Sequence, residues 1–340
     1  MKTPAVDVHA HALIPAAEAL VADEPGLAAA RAEEARWAGP SSAEVNREQI
    51  GQLGPALVSP AVRLAAMDAA GIDVQLVSPM PIHHYWAGRE LAERYAAEVN
   101  AGILAHCAAA PQRLAGLGTV PLQHPDLAVK ILTTALAGGL RGVEVSTHVV
   151  GRELADPSLD AFWARAEELG AVVFVHPWGC TLGERLASGY LSNIVGNPVE
   201  TTVALSHLIF SGLLDRHPGL RVLAAHGGGY LPAYLGRGDH AWQVRPDSRT
   251  CAEPPSAYLR RMWFDALVYT PDGLRSLVSA VGADRVLLGT DYPFDMGVTD
   301  PLGRLAAAAL GDAATEAVRG GNAAGLLGPV PAPKPKVASA

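Results

Sequence analysis

VDVHAH, residues 6–11, is the stretch on which the fold turns. It is a short, mostly apolar run that ends in two histidines. In a strand, residues two apart point the same way, so His9 and His11 leave one face together. Seven later runs share its design: VQLVSPMP from Val74, LAGLGTVP from Leu114, GVEVSTH from Gly142, VVFVHP from Val172, VLAAHGG from Val222, MWFDALV from Met262 and VLLGTDYP from Val286. A helix-compatible stretch separates each from the next. Near-continuous Val, Leu and Ala strands alternating with amphipathic helices indicate a parallel sheet covered on both faces. Eight such units predict an α/β fold, a closed (β/α)₈ TIM barrel.

The helices have readable ends. PDLAVKILTTALAGG begins at Pro125 and Asp126 and stops at Gly138 and Gly139, while DPSLDAFWARAEELG stops at Gly170. Between the first strand and a helix starting near Pro60 lies an Ala-rich, Pro-containing insert, about residues 15–59, too long for an ordinary connection and of a length typical of lids or binding elements. The expected organisation is one barrel domain over residues 1–328, with PVPAPKPKVASA at 329–340 as a disordered Pro-rich tail.

Composition narrows the function. At 49% hydrophobic and 18% charged, the chain can bury a sizeable core. With 34 acidic against 26 basic residues its net charge is −8, which argues against nucleic acid and anionic membranes as partners. MKTPAVDVHAH has no apolar segment of a signal peptide, and no run approaches 18 uninterrupted apolar residues, so a cytoplasmic location is expected. Cys107, Cys180 and Cys251 are widely spaced and odd in number, which suits free thiols.

An isolated HxH is weak evidence and reads equally well as two satisfied strand histidines. Three further polar residues stand at equivalent strand ends, however: His176, His226 and Asp291. Polar side chains there are costly to bury unless paired or coordinated, and in a barrel those ends converge on one mouth. His9, His11, His176 and Asp291 make a three-nitrogen, one-oxygen set for one divalent metal, with zinc or manganese as the ion. His226 is left unligated but close, an acid/base candidate able to take the proton of a metal-bound water; its alternative is to ligate a second metal. Two-metal sites of this type use a carboxylated lysine or a carboxylate on a middle strand. The only lysines are Lys2, Lys130, Lys334 and Lys336, and Glu144 is the one middle-strand carboxylate to weigh, so one ion per chain is favoured and Schiff-base chemistry is not. Arg237 and Arg245, in YLGRGDHAWQVRP, are placed either to fork onto carboxylates or on a solvated helix face. His83, His84, Tyr85 and His148 follow strands, at the mouth or on the surface.

These motifs, with MDAAGIDVQLVSPMP, GLGTVPLQHPDLAVK, FVHPW, VGNPVETT, LAAHGGG, DALV and GTDYPF in order, resemble the amidohydrolase superfamily, in its branch around 2-amino-3-carboxymuconate-6-semialdehyde decarboxylase. The resemblance implies zinc on His9, His11, His176 and Asp291, with His226 activating the metal-bound water. It also implies a homodimer, in which Arg237 reaches the neighbouring subunit's substrate while Arg245 and Arg47 face the same carboxylates. Trp178 in FVHPW and Phe294 in GTDYPF complete the substrate-binding candidates. The chain departs from the branch at Gly179, where an aspartate is usual, in GYLSNIVG around Tyr190, where a Trp-rich stretch is usual, and in an insert lacking an expected lysine. These positions neighbour the substrate.

The expected activity is a metal-dependent, non-oxidative decarboxylation of a small unsaturated or aromatic carboxylic acid, using a metal-bound water activated by His226. The alternative is a hydrolase or hydratase acting on a lactone, an amide or a conjugated C=C bond with the same water. A non-catalytic binding protein fits poorly with an intact water-activating set.

Overall fold

The computed structural model describes residues 3–328. The proline-rich segment 329–340 lies outside the described residues. All eight apolar runs form strands of one parallel barrel: β1 (Val6–Ala12), β2 (Val74–Pro79), β3 in two pieces (Leu114–Gly116 and Gly118–Thr119), β4 (Gly142–Val145), β5 (Val172–Val175), β6 (Arg221–Ala224), β7 (Trp263–Asp265) and β8 (Val286–Leu287). Neighbours pair in order, with Val6 against Val74 and Phe174 against both Glu144 and Leu223. β3 changes partner at Leu117: its first piece pairs with β2 and its second with β4. The barrel closes where Val8 N–H donates to Leu288 O at 2.9 Å and Ala10 bridges Tyr292.

Parallel strands covered on both faces explain why the runs read as apolar throughout. Val6, Val8, Leu76, Phe174, Leu223 and Leu287 fill the barrel interior near the strand starts, where Ala323, Leu326 and Leu327 of a C-terminal helix join them. A second, larger core lies between the strands and the surrounding helices. The helix over Pro125–Ala137 and the one over Asp160–Leu169 end at Gly138 and Gly170, as their sequences predict; Gly170 takes the left-handed conformation at φ 60°.

The insert after β1 is helical. Pro15–Val21, Pro25–Ala38 and Pro40–Val58 each start on a proline in the first turn, where its missing N–H costs nothing. The next helix, Pro60–Ala70, begins where expected, capped by Ser59. Trp37 of the insert meets Trp178 edge to face, 6.3 Å between centroids. Gly39 joins two insert helices at φ 79°, against the Ala187 carbonyl, a position that a side chain would block. The insert is thereby fastened to the segment that follows β5, beside the barrel mouth.

Candidate metal centre

β1 carries both His9 and His11 inside its regular span, with side chains on one face. His176, His226 and Asp291 follow β5, β6 and β8 after the strand pairing has ended. His9, His11, His176 and Asp291 are buried, and one ligand atom from each lies within 4.8 Å of all the others.

The hydrogen bonds decide which atoms face inward. His9 Nδ1 donates to Asp265 Oδ2 at 2.7 Å, and His11 Nδ1 donates to the Pro79 carbonyl at 2.9 Å. Each ring therefore carries its proton on Nδ1 and turns a bare Nε2 lone pair inward. These two lone pairs stand 3.1 Å apart, and each is 3.4 Å from Asp291 Oδ1. Three electron-rich atoms so placed repel one another unless a cation sits among them. A tetrahedron with bonds of about 2.0–2.1 Å has edges of about 3.3–3.4 Å, which these separations match closely. Both nitrogens of His176 and Asp291 Oδ1 are buried without a hydrogen-bond partner. Orphaned polar atoms of this kind are rare outside binding and catalytic sites. The donor set fits a divalent metal.

Electrostatics agree. Burial, reinforced by the neighbouring imidazoles, holds His176 well below the ordinary histidine range, hence neutral and able to ligate. Burial alone would raise Asp291, but the surrounding imidazoles of His9, His11 and His226 outweigh it and hold the carboxylate well below its ordinary range. His226 lies outside the donor set, with Nε2 3.7 Å from Asp291 Oδ2 and Nδ1 unpartnered. Burial lowers its basicity, but its contacts with Asp291 override this and raise it above the usual value.

Sequence reasoning missed two supporting residues. Asp265, at the end of β7, accepts from His9 Nδ1 and from the backbone N–H groups of His226, Gly227 and Leu267, so one carboxylate orients a ligand and the acid/base candidate together. A carboxylate in the apolar run MWFDALV was the available signal. Arg63 is fully buried under β1, where it donates to the His11 carbonyl, to Gln75 Oε1 and to His106 Nε2. Gln75 in turn donates to Asp7, which accepts from Thr290 of the segment leading to Asp291.

The other sequence candidates divide. Phe294 packs on His11, 5.3 Å between centroids, and Trp178 meets the insert. Arg237, in the helix Gly236–Val244, and Arg47, in the insert, are exposed. Arg245 is exposed and forks onto Asp247 at 2.8–2.9 Å. His83 and His84 are buried rather than superficial; burial pushes His83 down to about 3. Glu144 is fully buried, 3.5 Å from His11 Nδ1, and burial pushes it up to about 7. Beside His226 and Asp291 opens a cavity of about 330 Å³, walled by Asn193, Asn197, Tyr230, Leu267, Tyr269 and Met296. Among the described residues that line it, none is lysine or arginine.

Known proteins resemble this chain in sequence and fold. The chain is 36% identical over 275 residues, 79% of its length and 76% of the relative's, to 2-amino-3-carboxymuconate-6-semialdehyde decarboxylase from Dictyostelium discoideum. It is 31% identical over 256 residues to gamma-resorcylate decarboxylase from Rhodococcus jostii, covering 69% of this chain and 77% of that one. The fold matches that of 5-carboxyvanillate decarboxylase from Novosphingobium aromaticivorans with a TM-score of 0.82 at 21% identity, covering 96% of each chain. The sequence profile of the amidohydrolase family runs over residues 6–328, from the strand bearing His9 and His11 to the helix that closes the barrel floor, and this chain is a member of that family.

Proposed function

We propose that the chain is a metal-dependent, non-oxidative decarboxylase of a small unsaturated or aromatic carboxylic acid, of the 2-amino-3-carboxymuconate-6-semialdehyde kind. The observation that carries the reading is the converging donor set of His9, His11, His176 and Asp291, in a chain whose relatives are named as decarboxylases. Zinc, one ion per chain, is the proposed occupant, since three imidazoles and a carboxylate suit its tetrahedral preference. Manganese is the alternative, because the 5-carboxyvanillate decarboxylase structure is a manganese complex. A divalent cation supplies Lewis acidity at the reacting centre.

The chain's own residues do the rest. His226, unligated and raised in basicity, holds a proton beside Asp291 and returns it to the carbon from which carbon dioxide departs, while the electrons of the broken C–C bond pass into the conjugated system. Phe294 and Trp178 supply apolar walls that keep water from that carbon. Arg47, Arg237 and Arg245 are the proposed carboxylate ligands. Arg237, exposed and without a partner among the described residues, suits a role across the interface of a homodimer.

Carbon dioxide release across muconate semialdehydes, hydroxybenzoates and vinylogous acids tests the reading. Release from at least one acid, abolished by chelation and restored by metal, is the expected result. Turnover of lactones or amides with no release from any acid replaces it with the hydrolase or hydratase reading.

A further inference from the structure

A second group of buried polar side chains stands behind His11 and has no part in the proposed reaction. The first four strands, or the loops that follow them, contribute one residue each: His11 within β1, His83 after β2, Thr119 at the end of β3 and Glu144 within β4. Glu144 is fully buried, and neither of its carboxylate oxygens has a hydrogen-bond partner among the described residues. Its Oε2 stands 3.5 Å from His11 Nδ1, and its Oε1 stands 3.7 Å from His83 Nε2, itself buried and unpartnered. On the other side of the His83 ring, Nδ1 meets Thr119 Oγ1 at 3.1 Å, and the ring stacks on Tyr85, 5.2 Å between centroids at 15°. A carboxylate sealed from water without donors is costly, and orphans of this kind call for an explanation.

His11 turns Nε2 towards the other donors and Nδ1 towards Glu144, so Glu144 lies behind the ligand and not at the mouth, where a carboxylate bridging two ions would stand. His9 has the same kind of support from Asp265 of β7 behind its own Nδ1. We propose that Glu144 is the corresponding positioning residue for His11, held in place by a relay that runs Thr119–His83–Glu144–His11. The proton roles are consistent along its length. A carboxylate only accepts, whereas a threonine hydroxyl also donates, so Thr119 donates to His83 Nδ1 and the ring turns a proton on Nε2 towards Glu144. The His11 Nδ1 proton is shared between the Pro79 carbonyl at 2.9 Å and Glu144. Ser78 Oγ, 3.3 Å from the same nitrogen, is committed as a donor to the Ala10 carbonyl. Ligation through Nε2 makes the Nδ1–H of an imidazole a stronger donor, and an acceptor behind it fixes the ring and raises its basicity as a ligand.

The inference rests on the proposed metal site but not on the reaction, so its test needs no turnover. Two measurements on the full chain serve: competitive chelator titration with zinc, and the visible absorption bands of the cobalt-loaded protein, which report ligand geometry. Glu144→Gln keeps the shape and removes the acceptor charge. It should weaken metal binding about 10- to 100-fold and shift the cobalt bands, while the metal-free variant melts no lower than the parent, because a neutral amide is easier to bury than an unpaired carboxylate. His83→Phe keeps the stacking on Tyr85 and removes the donor. It should weaken binding by a smaller factor, and in the double variant the two losses should not add, since both act through His11. Zinc affinity of Glu144→Gln within about 2-fold of the parent, with unshifted cobalt bands, overturns the proposal. Additive losses in the double variant also overturn it, as does a metal-free Glu144→Gln chain that melts well below the parent. If Glu144→Gln does not fold, His83→Phe decides alone, and unshifted cobalt bands count against the relay. Should the parent bind neither zinc nor cobalt, the metal site fails and the relay with it. Should binding respond as expected while no acid releases carbon dioxide, the relay stands and the decarboxylase reading fails.

Discussion

Asp291 and His226 both adopt left-handed backbone, at φ 58° and 53°. A non-glycine residue pays about 1–3 kcal/mol to stay in a sparsely populated region, though Asp, Asn and His tolerate this one better than most. Their neighbours hold them there: Asp291 N–H donates to the His9 carbonyl, and His226 N–H donates to Asp265. His226→Asn keeps a residue type suited to that backbone while removing the imidazole. It should retain metal and lose about 10²- to 10⁴-fold in turnover, the usual share of an acid/base group. Asp291→Ala should lose metal as well; equal metal loss in both variants, by elemental analysis, would mean that His226 is a ligand. Asp265→Asn tests the residue behind them. An amide in that place can present its NH₂ to His9, turning the ring's proton towards the metal side, and a change of this kind behind a ligand costs about 10- to 100-fold in metal affinity or activity. Competitive chelator titration measures it, and unchanged affinity would remove Asp265 from the site.

Among the elements, the eight strands were legible because burial on both faces makes each a nearly unbroken apolar run, and three of the five mouth residues, His176, His226 and Asp291, were legible as polar exceptions just beyond such runs. His9 and His11, both inside the first strand, stood out only as a pair two positions apart. Asp265 escaped because it lies within its run, two positions before Leu267, where nothing local separates a ligand's support from a strand carboxylate. Arg63 escaped for another reason: PAVRLAAMDAA reads as a surface helix, and the partners that bury the guanidinium, His106, Gln75 and the His11 carbonyl, come from three other elements. No periodicity carries that information. Its packing predicts a large effect: Arg63→Met strands the polar groups around it and should cost about 3–5 kcal/mol in urea denaturation. Arg63→Lys should recover little of this, since an ammonium cannot fork to three acceptors in fixed directions. A loss below about 1 kcal/mol for the methionine variant would class Arg63 with ordinary surface pairs. The insert shows the same limit of local reading, since its helices follow from their leading prolines and its seat at the barrel mouth depends on Gly39 meeting Ala187.

At the scale of the whole molecule, two assembly questions separate. Whether Arg237 acts in a second subunit is settled by mixing Arg237→Ala chains with chains inactivated at His226. A mixed dimer holds one site with both residues intact, so activity should rise above the sum of the parents and vanish on dilution; no gain with mixed dimers demonstrably formed returns Arg237 to its own chain. The other question concerns the order of donors along the polypeptide. His9 and His11 belong to the first strand and Asp291 follows the last, so the donor set spans the seam at which β8, a strand of 2 residues, meets β1. An ion held there would act as a removable cross-link between the two ends of the barrel, closing a loop of nearly the entire chain. Loop-closure entropy grows only slowly with length, but a clasp at the ends removes more disordered conformations than the same clasp made locally. Stabilisation by a bound ion also follows its concentration over its dissociation constant, about 4 kcal/mol at a 1,000-fold excess. Chelation should therefore lower Tm by several degrees and raise hydrogen exchange first at Val8, His11 and Asp291, whose N–H groups donate across the seam, ahead of strands on the far side of the barrel. Uniform exchange around all eight strands would show that the ion is a passenger in a ring that closes without it.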